Sequence, residues 1–119
     1  MITYDTFEQN IRSLVSLQHL YTEHVKDNDD FLPHVFMGDV ARLICATIDE
    51  RNPARDRSEI VTEVLNFLEH ASSDGDPMVI ELITVSFLEN IADESSLVNI
   101  SYHFGPSLTH MLEDYLKQR

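Results

Sequence analysis

Between Ser58 and Leu116 the sequence has no lysine and no arginine. That absence excludes the ligands that demand them. Nucleic acid and anionic lipid are both held by clusters of basic side chains, so neither is expected as a direct partner. Cysteine is almost absent too: Cys45 stands alone and cannot close an internal disulfide. With three glycines in the whole chain there is no glycine-rich loop to cradle a phosphate. No apolar run approaches the ~18 residues needed to cross a bilayer. The opening Met1-Ile2-Thr3-Tyr4-Asp5 has neither the basic nor the apolar region of a secretory signal, so the chain reads as cytoplasmic.

What fills the basic-free stretch is carboxylate. Glu59, Glu63, Glu69, Asp74, Asp76, Glu81, Glu89, Asp93, Glu94, Glu113 and Asp114 give it −11 of the chain's formal net charge of −13. Small soluble domains commonly carry a net charge of roughly 2–8 in magnitude, and like charges repel across a compact surface. A strongly basic partner accounts for such a one-signed field, because the field steers its approach and complements its cationic site. Plain solubility is the alternative. At 43% apolar residues the chain is too hydrophobic for a disordered acidic tail. Its 119 residues read as one domain, 1–119, able to bury about two thirds of the unfolded surface.

The apolar spacing is helical throughout, and no strict alternation lasts long enough for a strand. Tyr4, Phe7, Ile11 and Leu14 form one face of an opening helix with Thr3 or Asp5 as N-cap. Leu17, Leu20, Tyr21 and Val25 continue it after a phase slip at Ser13–Ser16, which predicts two helices meeting at a bend, with one long helix as the alternative. Asp27-Asn28-Asp29-Asp30 reads as a polar loop. Pro33 opens a helix whose stripe is Phe36, Val40, Leu43, Ile44, Thr47 and Ile48, unless Gly38 marks its true start with Asp39 capping. Asn52–Arg57 reads as a basic loop, with Asp56 and Glu59 as a capping box for the stripe Ile60, Val61, Val64, Leu65, Leu68, Ala71. Ser72-Ser73-Asp74-Gly75-Asp76-Pro77 is the strongest break, with Asp76 as N-cap and Pro77 as first helical residue. From Met78 to Ile91 the helix is apolar nearly all round, which predicts a central, deeply buried element. A loop at Ala92–Ser96, a short helix at Leu97–Ile100 and a last helix after Gly105-Pro106 complete the chain. The expected fold is all-α: a single-domain bundle or stacked helical hairpins of about five to seven helices.

Candidate chemistry is thin. Among six histidines, His24 and His34 flank the acidic loop and His19 stands four residues from Glu23, but neither H-E-x-x-H nor Glu-x-x-His occurs. No bound metal and no cofactor are expected. The Asp27–Asp30 loop lacks the sixth-position glycine and twelfth-position glutamate of an EF-hand. Cys45 lies beside an apolar stripe and reads as an inert buried thiol. Ser86 is outside any G-x-S-x-G elbow and is expected to bond the preceding helical turn. An enzyme is not expected.

Three segments carry a resemblance: Glu23–Asn28 followed by Leu32-Pro33-His34-Val35-Phe36-Met37-Gly38-Asp39; Glu81 to Asn90, with Ser86-Phe87-Leu88-Glu89-Asn90 its most specific part; and Phe104-Gly105-Pro106. Their order resembles the small acidic helical bacterial proteins that accompany polymorphic toxins, including immunity proteins of contact-dependent growth inhibition systems. The resemblance covers roughly residues 20–112. It departs at Ser13-Leu14-Val15-Ser16, where related sequences tend to have a proline. It implies a stoichiometric inhibitor of a cognate toxin C-terminal domain, expected here to be a basic nuclease whose cationic cleft the carboxylates fill. No small-molecule substrate is expected. The matching residues are those a frame needs, so the contacts are sought among surface groups instead. Two acidic patches are candidates: Glu89, Asp93 and Glu94, which crowd a helix C-terminus where the dipole disfavours them, and Asp27, Asp29 and Asp30. Tyr102, Phe104 and Phe31 are candidate exposed anchors, against core packing as the alternative. The rival functions are a helical adaptor for another basic protein and a small enzyme using the groups between Glu23 and Asp39.

Overall fold

Thr3 caps the first helical turn: its hydroxyl accepts from the Thr6 amide, and the Thr6 hydroxyl accepts from the Thr3 amide, closing a 3-10 turn at Tyr4–Thr6. The structure, a computed structural model, describes residues 1–49 and 56–118. Helix α1 (Phe7–Arg12) stops at Ser13, a second 3-10 turn spans Val15–Leu17, and α2 (Gln18–Asn28) follows. The expected bend at Ser13–Ser16 is therefore real. Asp27 and Asn28, expected in a loop, belong to α2. The helix runs until Asp29 takes a left-handed conformation at φ 59°, which aspartate tolerates better than most residues.

Helix α3 (Pro33–Asp49) starts at its proline rather than at Gly38. Of the basic loop expected over Asn52–Arg57, residues 52–55 lie outside the described residues, while Asp56 and Arg57 are already helical in α4 (Asp56–Asp74); the capping box expected from the Asp56 side chain also falls outside the described part. Ser72 and Ser73 were expected in the break that follows. They stay helical, their hydroxyls donating to the carbonyls of Glu69 and His70 three residues back. The break itself is Gly75, where a Cβ would stand 2.4 Å from the Ala71 carbonyl oxygen. Here the N-terminus docks: Ile2 donates to Asp74 and accepts from Asp76, both at 2.9 Å, and its side chain is buried.

Asp76 caps the next helix as expected. Its carboxylate accepts from the amides of Val79 at 2.9 Å and of Tyr4 at 3.0 Å. The Tyr4 amide and then the Val79 amide hold its pKa below the ordinary aspartate value of 3.8. A depressed carboxylate contributes stability that is complete above the unfolded-state pKa and lost as pH falls through the folded value. Asp76→Asn is therefore expected to flatten acid unfolding below about pH 4. Thermal melts of both proteins from neutral pH downward check this, and identical slopes would contradict it.

From Pro77 one helix continues through three registers: α5 (Pro77–Leu82), a π-helical segment (Ile83–Leu88) and α6 (Glu89–Ile91). The Thr84 hydroxyl donates to the Ile80 carbonyl at 2.9 Å, a side-chain competitor of the kind that loosens an α-helix. The Glu89 amide reaches back five residues to Thr84. Ile83, Phe87, Leu88 and Ile91 are fully buried, so the helix is central. It is not buried on every apolar side, however: Met78 is 57% and Val85 45% exposed.

After the Ala92–Ser96 turns come α7 (Leu97–Ser101) and α8 (Pro106–Lys117). Glu69 of α4 caps α8 from a distance, accepting from Ser107 at 2.7 Å and Leu108 at 2.9 Å. The fold is all-α. Phe7, Phe36 and Phe87 fill the core with Leu17, Met37, Leu65 and Leu82, and α3 lies along the central helix. Among the described residues no helix is long and apolar enough to cross a membrane.

Candidate partner-binding face

Two contacts fix how α3 meets the central helix. His34 Nδ1 lies 2.5 Å from Ser86 Oγ, and a Cβ at Gly38 would sit 3.6 Å from Asn90 Nδ2. Four residues along one helix match four along the other, so the two run side by side in the same direction. Further on, Arg42, Cys45 and Ala46 face Asn90 and Glu94 across an open cleft of about 460 Å³. Both helices thus run toward one end of the molecule, where the C-terminus of the central helix carries the negative pole of its dipole.

Glu89, Asp93 and Glu94 are all exposed at that end. Neither Glu89 nor Glu94 forms an ion pair with a described residue. Arg42, on the cleft wall, is paired with Asp39 one turn earlier on α3. The field at this end is therefore negative from side chains and backbone together.

The other acidic patch has a local explanation. Asp27, Asp29 and Asp30 are exposed, but Asp29 ends α2 and the Asp30 carboxylate accepts from the Phe31 amide at 2.8 Å. Along α3 the register of Gly38 with Asn90 puts Glu89 and Glu94 roughly 8–20 Å beyond Leu32, so their patch is set apart from the Asp27–Asp30 turn.

The aromatic candidates divide. Tyr102 is 87% exposed. Phe104 is half-buried against the core. Phe31 is half-buried with its ring 5.3 Å from Phe36, 5.6 Å from His24 and 5.8 Å from Tyr21. Core packing accounts for both phenylalanines.

The histidines between Glu23 and Asp39 build the frame. His24 is buried; its Nε2 accepts from the Leu32 amide at 2.9 Å, while Nδ1 lies 3.8 Å from Asp39. With Nε2 accepting, the neutral ring carries its proton on Nδ1, toward Asp39. His24 therefore fastens the turn between α2 and α3. Its place in the stripe Leu17, Leu20, Tyr21, His24 was the signal available in the sequence. Ser86 bonds His34 rather than the preceding turn, although its carbonyl accepts from Asn90 Nδ2 at 2.7 Å. Ser86 is buried, and no described group holds the other nitrogen of His34, so the pair lacks the exposed nucleophile and oriented base of a hydrolase. Among the described residues no three His, Cys, Asp or Glu side chains converge as metal ligands would. His24→Ala is expected to lower stability by roughly 2–3 kcal/mol by orphaning the Leu32 amide and opening a cavity. His34→Ala should be mild, and neither change should alter partner affinity. Chemical denaturation with a binding assay checks both.

Residues 7–118 match the family described as Domain of unknown function (DUF7674). The chain belongs to that family. No curated protein and no solved structure matches it. The family match takes in all three resemblance segments, and in this DUF7674 chain they are structural: Leu32–Asp39 lies along Ser86–Asn90, and Gly105-Pro106 receives the Glu69 cap.

Proposed function

We propose that the chain is an immunity protein, one that binds the C-terminal domain of a cognate contact-dependent growth inhibition toxin and neutralises it by occlusion. The observation that carries this reading is the electronegative end of α3 and the central helix. There Glu89, Asp93 and Glu94 stand in water at the C-terminus of the central helix, beside α3. Carboxylates there are unfavourable to their own helix, and Glu89 and Glu94 have no ion pair among the described residues, so a basic partner gives them a reason to be present. A nuclease supplies one, because it must present a cationic cleft for phosphates. The carboxylates take the places of those phosphates and pair with the toxin's Lys and Arg side chains. The site of action is the cytoplasm, where such a toxin would meet its substrate.

Charge-steered association has a kinetic signature. Raising ionic strength from ~10 to ~150 mM is expected to slow association by about tenfold while dissociation changes far less. Stopped-flow or surface-immobilised binding checks this, and flat association rates would assign the acidic half to solubility. An adaptor for another basic protein would use the same face. Rescue of cells from the protein encoded immediately upstream separates the two, since only an immunity protein restores growth.

A further inference from the structure

We propose that the outward stripe of the central helix docks a basic amphipathic helix of the partner; the proposal rests on the partner reading above and names the element the partner brings. Met78, Glu81, Val85 and Glu89 stand at i, i+3, i+7 and i+11 along one helix, so they share one face, roughly 16 Å long. All four are exposed, while Ile83 and Phe87 on the opposite side are fully buried. Neither Glu81 nor Glu89 has an ion pair among the described residues. A single exposed apolar residue is ordinary on a protein surface. Two in line, with unpaired carboxylates between and beyond them, make a ridge that alternates apolar and acidic. Val85 also lies in the π-helical segment, a register that concentrates at functional sites.

Charge selects the occupant. No lysine or arginine lies between Ser58 and Leu116, so nothing on this helix neutralises the ridge. A second copy of the chain would set Glu81 and Glu89 against the same carboxylates, and an anionic membrane would be repelled. A basic element is attracted. Its form follows from the ridge: apolar groups two turns apart match a facing helix with the same repeat, packed ridge into groove. An extended segment would need a sheet edge, and the only β pairing among the described residues is the isolated Ile2–Gly75 bridge. Apolar residues of the docked helix cover Met78 and Val85, and its Lys or Arg side chains reach Glu81 and Glu89.

The test is a chemical-shift titration of the isotope-labelled chain with two blocked Leu/Lys peptides of about 14 residues, identical in composition and charge. One isomer gathers its leucines on a single helical face, and the other spreads them round the helix. The amphipathic isomer is expected to shift residues 78–89 most and to bind about tenfold tighter than the other. Met78→Gln with Val85→Gln keeps the charge and should erase that preference. Glu81→Lys, a single change on the surface, should weaken the amphipathic isomer by about tenfold. Equal affinities for the two isomers, binding unchanged by Glu81→Lys, or shifts centred on Asp27–Asp30 would overturn the proposal. Self-association of the chain that the double glutamine change abolishes would overturn it too, by assigning the stripe to a second copy. The toxin domain separates this inference from the immunity reading. A complex that forms and is unchanged by the double glutamine change overturns the docked helix and leaves immunity standing. The amphipathic isomer seating on Met78 and Val85 with no toxin complex upholds the docking stripe and removes immunity.

Discussion

Replacing Glu89, Asp93 and Glu94 together by lysine is expected to abolish protection and to weaken toxin binding by about two to three orders of magnitude. The size follows from sign reversal. Each substitution removes an attraction and places a like charge against a cationic cleft, where wrong-sign juxtaposition amounts to several kcal/mol. The fold should not suffer. All three side chains are exposed, and a cation at a helix C-terminus suits the dipole where a carboxylate does not. The melting temperature is expected to hold or rise slightly. Reversing Asp27, Asp29 and Asp30 instead should leave protection intact, because that patch is separate and Asp29 and Asp30 have local roles in ending α2 and holding the turn. Growth assays beside thermal melts decide the matter, and a protective, tight-binding Glu89/Asp93/Glu94 variant would move the interface to the Asp27–Asp30 turn.

The second large effect concerns the fold. Glu69→Ala is expected to destabilise the chain by roughly 2–3 kcal/mol, lowering the melting temperature by roughly 8–12 °C. The Glu69 carboxylate accepts from two amides at the start of α8, and no other described group replaces it there. Gly105→Ala should have a comparable effect for the same reason. Its Cβ would fall 2.6 Å from Glu69 Cδ and 2.9 Å from Cγ, forcing the carboxylate off the helix end. Because both changes remove one interaction, the double variant should be little worse than either single one. Urea unfolding of the four proteins checks this, and additive losses would show that Gly105 and Glu69 act separately.

The helices were legible in the sequence because burial imposes a 3.6-residue period that most of these segments obey. Asp76-Pro77 was legible because an N-cap and a first-turn proline act within four residues. Helix ends were less so. Asn28 extends α2 by donating its side-chain amide to the His24 carbonyl at 2.8 Å, and Ser72 and Ser73 extend α4 likewise, although such residues also begin loops. The Glu69 cap was invisible because its amides lie 38 and 39 residues away. The π-helical segment was hidden as well: Ile83-Thr84-Val85 reads as ordinary helix, and the wider turn appears only in the Glu89 amide reaching the Thr84 carbonyl five residues back. For the site, charge and helix position picked out Glu89, Asp93 and Glu94. The parallel approach of α3, which brings Arg42 to face Asn90 and Glu94, is a tertiary fact without a local signal.

The central claim is that this chain neutralises a basic toxin domain by direct contact at its electronegative end. The measurement that tests it most directly is co-expression with the C-terminal domain of the protein encoded immediately upstream, followed by purification of the complex and a growth count. The account predicts restored growth, an equimolar complex, and loss of both in the Glu89/Asp93/Glu94 lysine variant. Toxicity that persists with no complex, or rescue that survives in that variant, would contradict it.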